Sequence, residues 1–365
     1  MGKIKRKTIA WLLAAMLLTV SAVACTAQTT AQTATTAGNT EPAATETAAE
    51  ATAEPAALTA LPADKLNYIV AAAAGGGLDI VSRCFSDQWS KAIGAAFEYT
   101  YEDAGSSYAM GLNDLNDDGD DEYSVMCGLA ESLPAMFAYQ DSAYTMDDIA
   151  WIGNVYSDAN CVMVRIDDDR FNSMEDLIQY ARTTEQPLTI STPQALTPAN
   201  MTASIFVKNA GLNANIVVYE GGSPARKDLI GGQVDISIGG ITTAMSIKDQ
   251  VKVIGIFGST NPVTDIWPNA QTIDQFATDF TMPDMTVHCS VWTSAKLRDE
   301  HPDVYQLLVD SFQAAMTDSE TAVKFDETSQ TPFISYMGPE DLGSALDTFS
   351  TVLTDYDSLL NPKNG

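Results

Sequence analysis

Leu66-Asn67-Tyr68-Ile69-Val70-Ala71-Ala72-Ala73-Ala74-Gly75-Gly76-Gly77-Leu78-Asp79 is the stretch from which the fold of this chain can be read. The apolar run from Leu66 to Ala72 predicts a buried strand, and a glycine loop follows it. Ile80, Val81, Cys84, Phe85, Trp89 and Ile93 then recur at helical spacing, with Asp79 as the expected N-cap. The unit is strand, glycine loop, helix N-terminus.

The same plan returns twice downstream. Leu188 to Ser191 predicts a strand, and Thr192-Pro193-Gln194-Ala195-Leu196 a loop. Thr197 is then the expected N-cap, Pro198 the first helical residue and Gly211 the stop. In the third copy Ile216 to Tyr219 is a strand and Glu220-Gly221-Gly222 a loop. Ser223 is the expected cap, Pro224 opens a short helix ending at Gly231-Gly232, and Val234 to Ile238 is the next strand. Three such starts predict an α/β fold of open, mostly parallel sheets covered by helices. The C-terminal stretch predicts helices, with Val304, Leu307, Leu308 and Phe312 on one face and Leu342, Leu346, Phe349 and Leu353 on another, the latter starting at Pro339.

The chemistry of these starts is anion capture. Ligands of open α/β sheets settle at the carboxyl ends of strands, where loops meet helix N-termini. Free N–H groups and the positive end of the helix dipole suit a carboxylate or phosphate there. Glycine lets the ligand approach the backbone. Such donors require no lysine or arginine, which fits a chain of formal charge −29.

The N-terminal sixty residues are of another kind. Lys3, Lys5, Arg6 and Lys7 precede an apolar run from Thr8 to Val20 that is short for a membrane span. Ala22-Val23-Ala24-Cys25 follows, the pattern of a lipoprotein signal with cleavage before Cys25 and lipidation of its thiol. An ordinary secretory signal is the other reading. Residues 26–60 are almost wholly Thr, Ala, Gln, Glu and Pro, which predicts a disordered stalk. Thus residues 1–24 are read as signal peptide and 25–60 as lipidated cysteine and tether. Residues 61–158 are read as a first lobe to which 293–365 returns, and 159–292 as a second. Crossings are expected near Asp158–Val162 and Cys289–Thr293. The expected location is extracytoplasmic, lipid-anchored at the outer face of the cell membrane, and the expected state is a monomer.

The four leader cations are matched by Glu41, Glu46, Glu50 and Glu54 of the stalk, so residues 61–365 carry the same charge excess. Nucleic acid and anionic membrane surfaces are poor partners for such a body. Export permits disulfides, and Cys84, Cys127, Cys161 and Cys289 are equally compatible with buried thiols and with two bridges. His288 and His301 are the only histidines and neither has a partner at catalytic spacing. His288 reads as a satisfied core or cleft residue. No nucleophile elbow, Walker loop or zinc motif occurs, so no catalytic residue, enzyme activity or cofactor is expected. Arg83, Arg165 and Arg226 are candidate partners of a ligand carboxylate, with pairing to acids of the chain as the alternative. Tyr101, Tyr108, Tyr156 and Tyr219 are candidate cleft or core residues. Asp114, Asn116, Asp118, Gly119, Asp120 and Glu122 fall at positions 1, 3, 5, 6, 7 and 9 of a calcium loop, but Val125 stands at position 12. This run reads either as a solvated acidic turn or as a calcium site.

Two segments carry a family resemblance. Ile69-Val70 through Gly75-Gly76-Gly77-Leu78-Asp79 with Arg83 resembles the opening of the substrate-binding proteins of tripartite tricarboxylate transporters, the TctC or Bug family. Val218-Tyr219-Glu220-Gly221-Gly222-Ser223-Pro224-Ala225-Arg226-Lys227-Asp228-Leu229-Ile230-Gly231-Gly232-Gln233-Val234-Asp235 resembles that family's most characteristic segment. The likeness in order and spacing spans roughly residues 65–355. It implies a two-lobed periplasmic-binding-protein fold of type II that closes on a carboxylate and delivers it to membrane permease subunits. Carried over, the ligand contacts are Ala74, Gly75, Gly76, Gly77 and Asp79 of the first loop, Thr192 and Thr197 of the second, and Gly221, Gly222, Ser223, Pro224 and Ala225 of the third. Asp235 matches a recurrent position that either touches ligand or braces the loop.

The departures are informative. Ala71 stands where the family usually has proline, and Glu220 where it has lysine. Glu102-Asp103-Ala104-Gly105-Ser106-Ser107 replaces a basic, glycine-rich run, and Thr192–Leu196 replaces a glycine-rich loop. With these contributions to an anion site missing, the expectation moves from a tricarboxylate to a monocarboxylate or an amino-acid-like solute. The function expected is that of an extracytoplasmic solute-binding protein for a small carboxylate or related organic solute. A ligand-sensing subunit of a membrane signalling protein and an exported hydrolase are the rivals.

Overall fold

The computed structural model describes residues 58–102, 107–116 and 123–361. The signal and tether residues, Cys25 among them, lie outside these, as do Asp118, Asp120 and Glu122 of the acidic run. The strands are β1 (Lys65–Val70), β2 (Ala96–Tyr101), β3 (Ser124–Leu129), β4 (Ile149–Arg165), β5 (Leu188–Thr192), β6 (Ala214–Val218), β7 (Ile236–Gly240), β8 (Val251–Ile256), β9 (Gln271–Thr272), β10 (Thr286–Ser294) and β11 (Ile334–Met337). The helices that shape the site are α1 (Gly77–Ile93), α2 (Ser107–Asn116), α3 (Ser132–Tyr139), α4 (Met174–Thr183), α5 (Pro198–Ala210), α6 (Gly222–Ile230) and α7 (Ile241–Met245).

The strand–loop–helix units produce two parallel triplets, β2-β1-β3 and β6-β5-β7. Antiparallel strands join them, so the architecture is a mixed α/β sheet system with flanking helices. Strand β4 belongs to both halves. Its first part, Ile149 to Ala159, pairs with β10, and Asn160 to Val164 pairs with β7. The change of partner falls between Ala159 and Asn160. Strand β10 pairs with β3 and β4 along its length, so Cys289–Thr293 lies inside the first sheet and the chain enters that sheet by Thr286.

The larger of the two main cores runs from the first triplet to Met163, Leu229 and Val253 of the other half, and the smaller lies within the second half. In the first, Tyr68, Phe85, Trp89 and Phe312 are fully buried, with Trp89 and Phe312 edge-to-face at 5.0 Å. The Trp89 indole N–H donates to Ser311 Oγ at 2.9 Å, which fixes the C-terminal helix Pro302–Met316 against α1. In the second, Phe171, Phe206, Phe257 and Leu177 are fully buried. A third cluster joins the halves: Tyr139 of α3, Met201 and Ile205 of α5, and Phe349 and Leu353 of the helix Pro339–Asp355.

Helix boundaries follow local chemistry, with two corrections. Thr197 caps α5 by accepting from Asn200 N, Pro198 is its first residue, and Gly211 ends it in the left-handed conformation. Helix α1, however, is capped by Gly76 and α6 by Gly221, neither through a side chain. Asp79 and Ser223 therefore sit inside the first turns rather than at the caps expected of them. All four described cysteines are buried and free, and Cys127 Sγ lies 3.8 Å from Cys289 Sγ across β3 and β10. No helix among the described residues is long and apolar enough to cross a membrane.

Candidate functional site

A cavity of about 220 Å³ opens where the carboxyl ends of the two triplets face each other. The first half contributes Ala71 after β1, Leu129 at the end of β3, Tyr108 of α2 and Ser132 of α3. The second contributes the loop Pro193–Thr197, Gly222, Ala225 and Arg226 of α6, and Gly239, Gly240, Thr242 and Thr243 at the β7–α7 turn. Tyr156, Asp158 and Asn160 of the shared strand β4 reach it from between the halves.

Of the thirteen predicted ligand contacts, Thr197, Gly222 and Ala225 line this cavity. The first glycine loop reaches it only through flanking Ala71 and Leu78. Its own chemistry is spent inward. Asp79 is buried and accepts from Gly75 N at 2.7 Å, Tyr101 Oη at 2.9 Å and Arg83 Nε at 2.8 Å. Gly75 stands at φ +76°, where other residues are strained, and so presents its N–H to that carboxylate. Ala74, Gly76 and Gly77 complete the loop outside the lining. Thr192 is buried beneath the second loop and accepts from Asn200 Nδ2 at 3.1 Å. Gly221, Ser223 and Pro224 are not part of the lining. Asp235 lies at the opposite, amino end of β5. It accepts from Thr189 N at 2.8 Å and Thr189 Oγ1 at 2.7 Å and pairs with Arg170 at 2.8 Å, the bracing role. Burial pushes its carboxyl up, but the Thr189 bonds and Arg170 outweigh this and hold it below its ordinary value.

Arg226 behaves unlike every other arginine described. Arg83, Arg165, Arg170, Arg182 and Arg298 each pair with an aspartate. Arg226 lines the cavity half-buried with no hydrogen bond, ion pair or ring partner among the described residues. Burial lowers its pKa, yet a guanidinium stays charged at any physiological pH. Its Nη1 would lie 3.0 Å from a Cβ on Gly222, so the absence of a side chain there gives the cation room beside the α6 N-terminus.

Asp158 carries the opposite charge. It is buried and accepts four bonds: Ala159 N at 2.8 Å, Ile241 N at 3.2 Å, Thr242 N at 3.1 Å and Thr242 Oγ1 at 2.7 Å. Burial pushes its pKa up to about 6, and the four donors limit the rise. Gly240 permits this approach, since a Cβ there would meet Asp158 Oδ2 at 2.5 Å. The neutral polar lining includes Tyr108, whose hydroxyl accepts from Leu129 N at 2.7 Å and whose pKa burial raises. Ser132 Oγ is buried without a hydrogen-bond partner. Leu196 holds the second loop at φ +62°, a strained value for a leucine, with its N–H on Asn200 Oδ1 at 3.3 Å.

Sequence reasoning placed Arg226 among the candidates and did not mark Asp158, Asn160, Ser132 or Leu196 as ligand contacts. Neither Asp158 nor Asn160 stands out locally, since Asn154 and Ser157 interrupt the same strand. Arg83 and Arg165 prove to be structural pairs, and His288 is satisfied by Glu131 Oε1 at 2.5 Å from its Nδ1. Asp114 and Asn116 lie in the last turn of α2, and among the described residues no cluster of acids, histidines and cysteines could hold a metal ion.

Residues 95–330 match the family described as tripartite tricarboxylate transporter family receptor, TctC. An Agrobacterium vitis protein of the UPF0065 group is 22% identical over 276 residues, 74% of this chain and 77% of its own length. A Pseudomonas relative of the same group is 23% identical, and there the match spans 53% of this chain and only 58% of the relative. Among solved structures, the periplasmic binding protein BugD superposes with a TM-score of 0.67 at 20% identity, covering 81% of this chain and 98% of that one. A Rhodopseudomonas palustris protein with adipate gives 0.68 at 17% identity, covering 81% and 97%. A second from that organism, with bound malate, gives 0.61 at 16%, covering 80% and 97%. Fold and family match agree: this chain belongs to the TctC family of tripartite tricarboxylate transporter receptors.

Proposed function

We propose that this protein is an extracytoplasmic receptor that captures a small organic acid in the cavity between its two halves, with Arg226 as carboxylate anchor, and hands it to a membrane permease. The observation that carries this reading is the unpartnered guanidinium. In a chain with 48 acids and 19 basic residues, a cation facing a cavity without an acidic partner is held for a ligand. Fully forked donors suit a carboxylate bound at two oxygens. The malate and adipate held by two structural relatives are ligands of that chemical class.

Binding without turnover is part of the proposal, since the cavity offers no nucleophile paired with a base. Strand β4 passes through both halves and supplies Asp158 to the β7–α7 turn, so a ligand touching both sides biases the angle between them. Attachment to the membrane would run through lipid on Cys25 and the stalk of residues 26–60. Titration of organic acids into the purified protein tests the reading. Saturable binding of a carboxylate that is lost in R226Q supports it, and binding that ignores the substitution overturns it.

A further inference from the structure

The cavity of the proposed receptor is balanced in charge. Among its lining side chains only Arg226 and Asp158 carry full charge at neutral pH, one of each sign, and they do not touch each other. Any ligand adds its own charge to a neutral pair inside a partly desolvated space, where charge is costly to leave uncompensated.

The same lining holds an acceptor. Asn160 is buried, and its amide orientation is fixed by a chain of bonds. The Thr202 hydroxyl donates to Pro198 O at 2.8 Å, so towards Asn160 it can only accept, which it does from Nδ2 at 3.0 Å. The remaining group, Asn160 Oδ1, is an acceptor with no donor among the described residues. Asp158, two residues away on the same strand, has its lone pairs filled by four protein donors and acts through its field. Ser132 Oγ, buried and unpartnered in the same lining, accepts as readily as it donates.

We infer that the cavity selects an aminocarboxylate, its carboxylate on Arg226 and its ammonium group facing Asn160 Oδ1 within the field of Asp158, and rejects the dicarboxylate of equal length. The inference rests on the carboxylate reading of Arg226 and goes beyond it in naming the second pole. A zwitterion leaves the cavity neutral. A dicarboxylate leaves two uncompensated negative charges and sets one of them against an oxygen acceptor and a carboxylate. Like charges juxtaposed in a desolvated site cost several kcal/mol in general. A plain monocarboxylate satisfies Arg226 but leaves Asn160 Oδ1 and Ser132 Oγ dry and unpaired.

The test is calorimetric titration of the protein with the twenty common amino acids and 4-aminobutyrate, set against butyrate, succinate and glutarate. The expected result is an aminocarboxylate that binds about a hundredfold tighter than the dicarboxylate of matching length. Asp158→Asn narrows that ratio by about tenfold. Asn160→Leu, which keeps volume and removes the acceptor, weakens the aminocarboxylate and spares butyrate. A dicarboxylate that binds as tightly as any aminocarboxylate overturns the inference and leaves the carboxylate reading standing. If no carboxylate of any kind binds, the carboxylate reading itself fails. The wild-type panel decides this even if a variant does not fold.

Discussion

The loop before α1 and the loop before α6 share a run of adjacent glycines, and the chain uses them in opposite ways. Both follow a parallel strand, both contain adjacent glycines, and both helices are capped by glycine. Before α1, Asp79 turns back to Gly75 N and takes Arg83 with it, so donor and cation are consumed inside the loop. At the start of α6 no acid lies in the first turn, and Arg226 faces the cavity without a partner. One acidic side chain in the first turn separates a self-closed brace from an open anion site. Glycine pattern locates such loops; whether their charges are available depends on what lies four residues away.

This contrast can be broken from either side. The largest effect on stability is expected for Asp79→Ala, which removes three hydrogen bonds from a buried carboxylate at once. Chemical denaturation should show a loss of about 2–3 kcal/mol, while ligand affinity stays within about twofold because the loop does not line the cavity. A large fall in affinity with unchanged stability would mean that the first loop is a binding loop after all.

The next effect is a pH dependence at Asp158. Its folded value of about 6 lies above the unfolded 3.8, because burial disfavours the charge. A raised folded value places this group's stabilising contribution at low pH, fully present below about pH 4 and lost as pH rises through 6. Asp168 and Asp235 run the other way, since Arg170 bonds hold Asp168 low and Thr189 bonds with Arg170 hold Asp235 low; their contribution is lost on acidification. Comparison with Asp158→Asn isolates the first term. The wild type should gain on the variant, by on the order of 2 kcal/mol, between pH 7.5 and 4.5. A flat difference would show that the four donors already cancel the burial. The smallest effect is expected for Arg165→Ala, whose partner Asp167 is largely exposed, and stability should change by no more than about 0.5 kcal/mol.

Much of this contrast was legible in the chain, and part of it was not. The strand–loop–helix starts were written in local residues: Thr197-Pro198 and Gly211 mark α5 at both ends as read. The family segment at Val218–Asp235 located α6. What failed was the further step from a loop to its contacts. Ser223 reads as a cap by type, but the chain enters α6 two residues earlier at Gly221. Asp235 was placed by resemblance with two roles open, and only the pairing of β5 with β7 sets it against Thr189 at the strands' far end. Asp158 and Asn160 enter the site because β4 changes partner beside them, a tertiary event without a local signature. Arg226 was one candidate of three, and the three could be separated only by counting partners in space.

The most direct measurement is the affinity of the purified protein for its best organic acid, compared between wild type and Arg226→Gln. An anchor bonded to a carboxylate through charge is worth about 2–5 kcal/mol when truncated, so the substitution should weaken binding by at least about thirtyfold. Stability of the ligand-free protein should be kept, since Arg226 has no protein partner to lose. Retained affinity in Arg226→Gln with an intact fold would contradict the claim that α6 holds the open anion site.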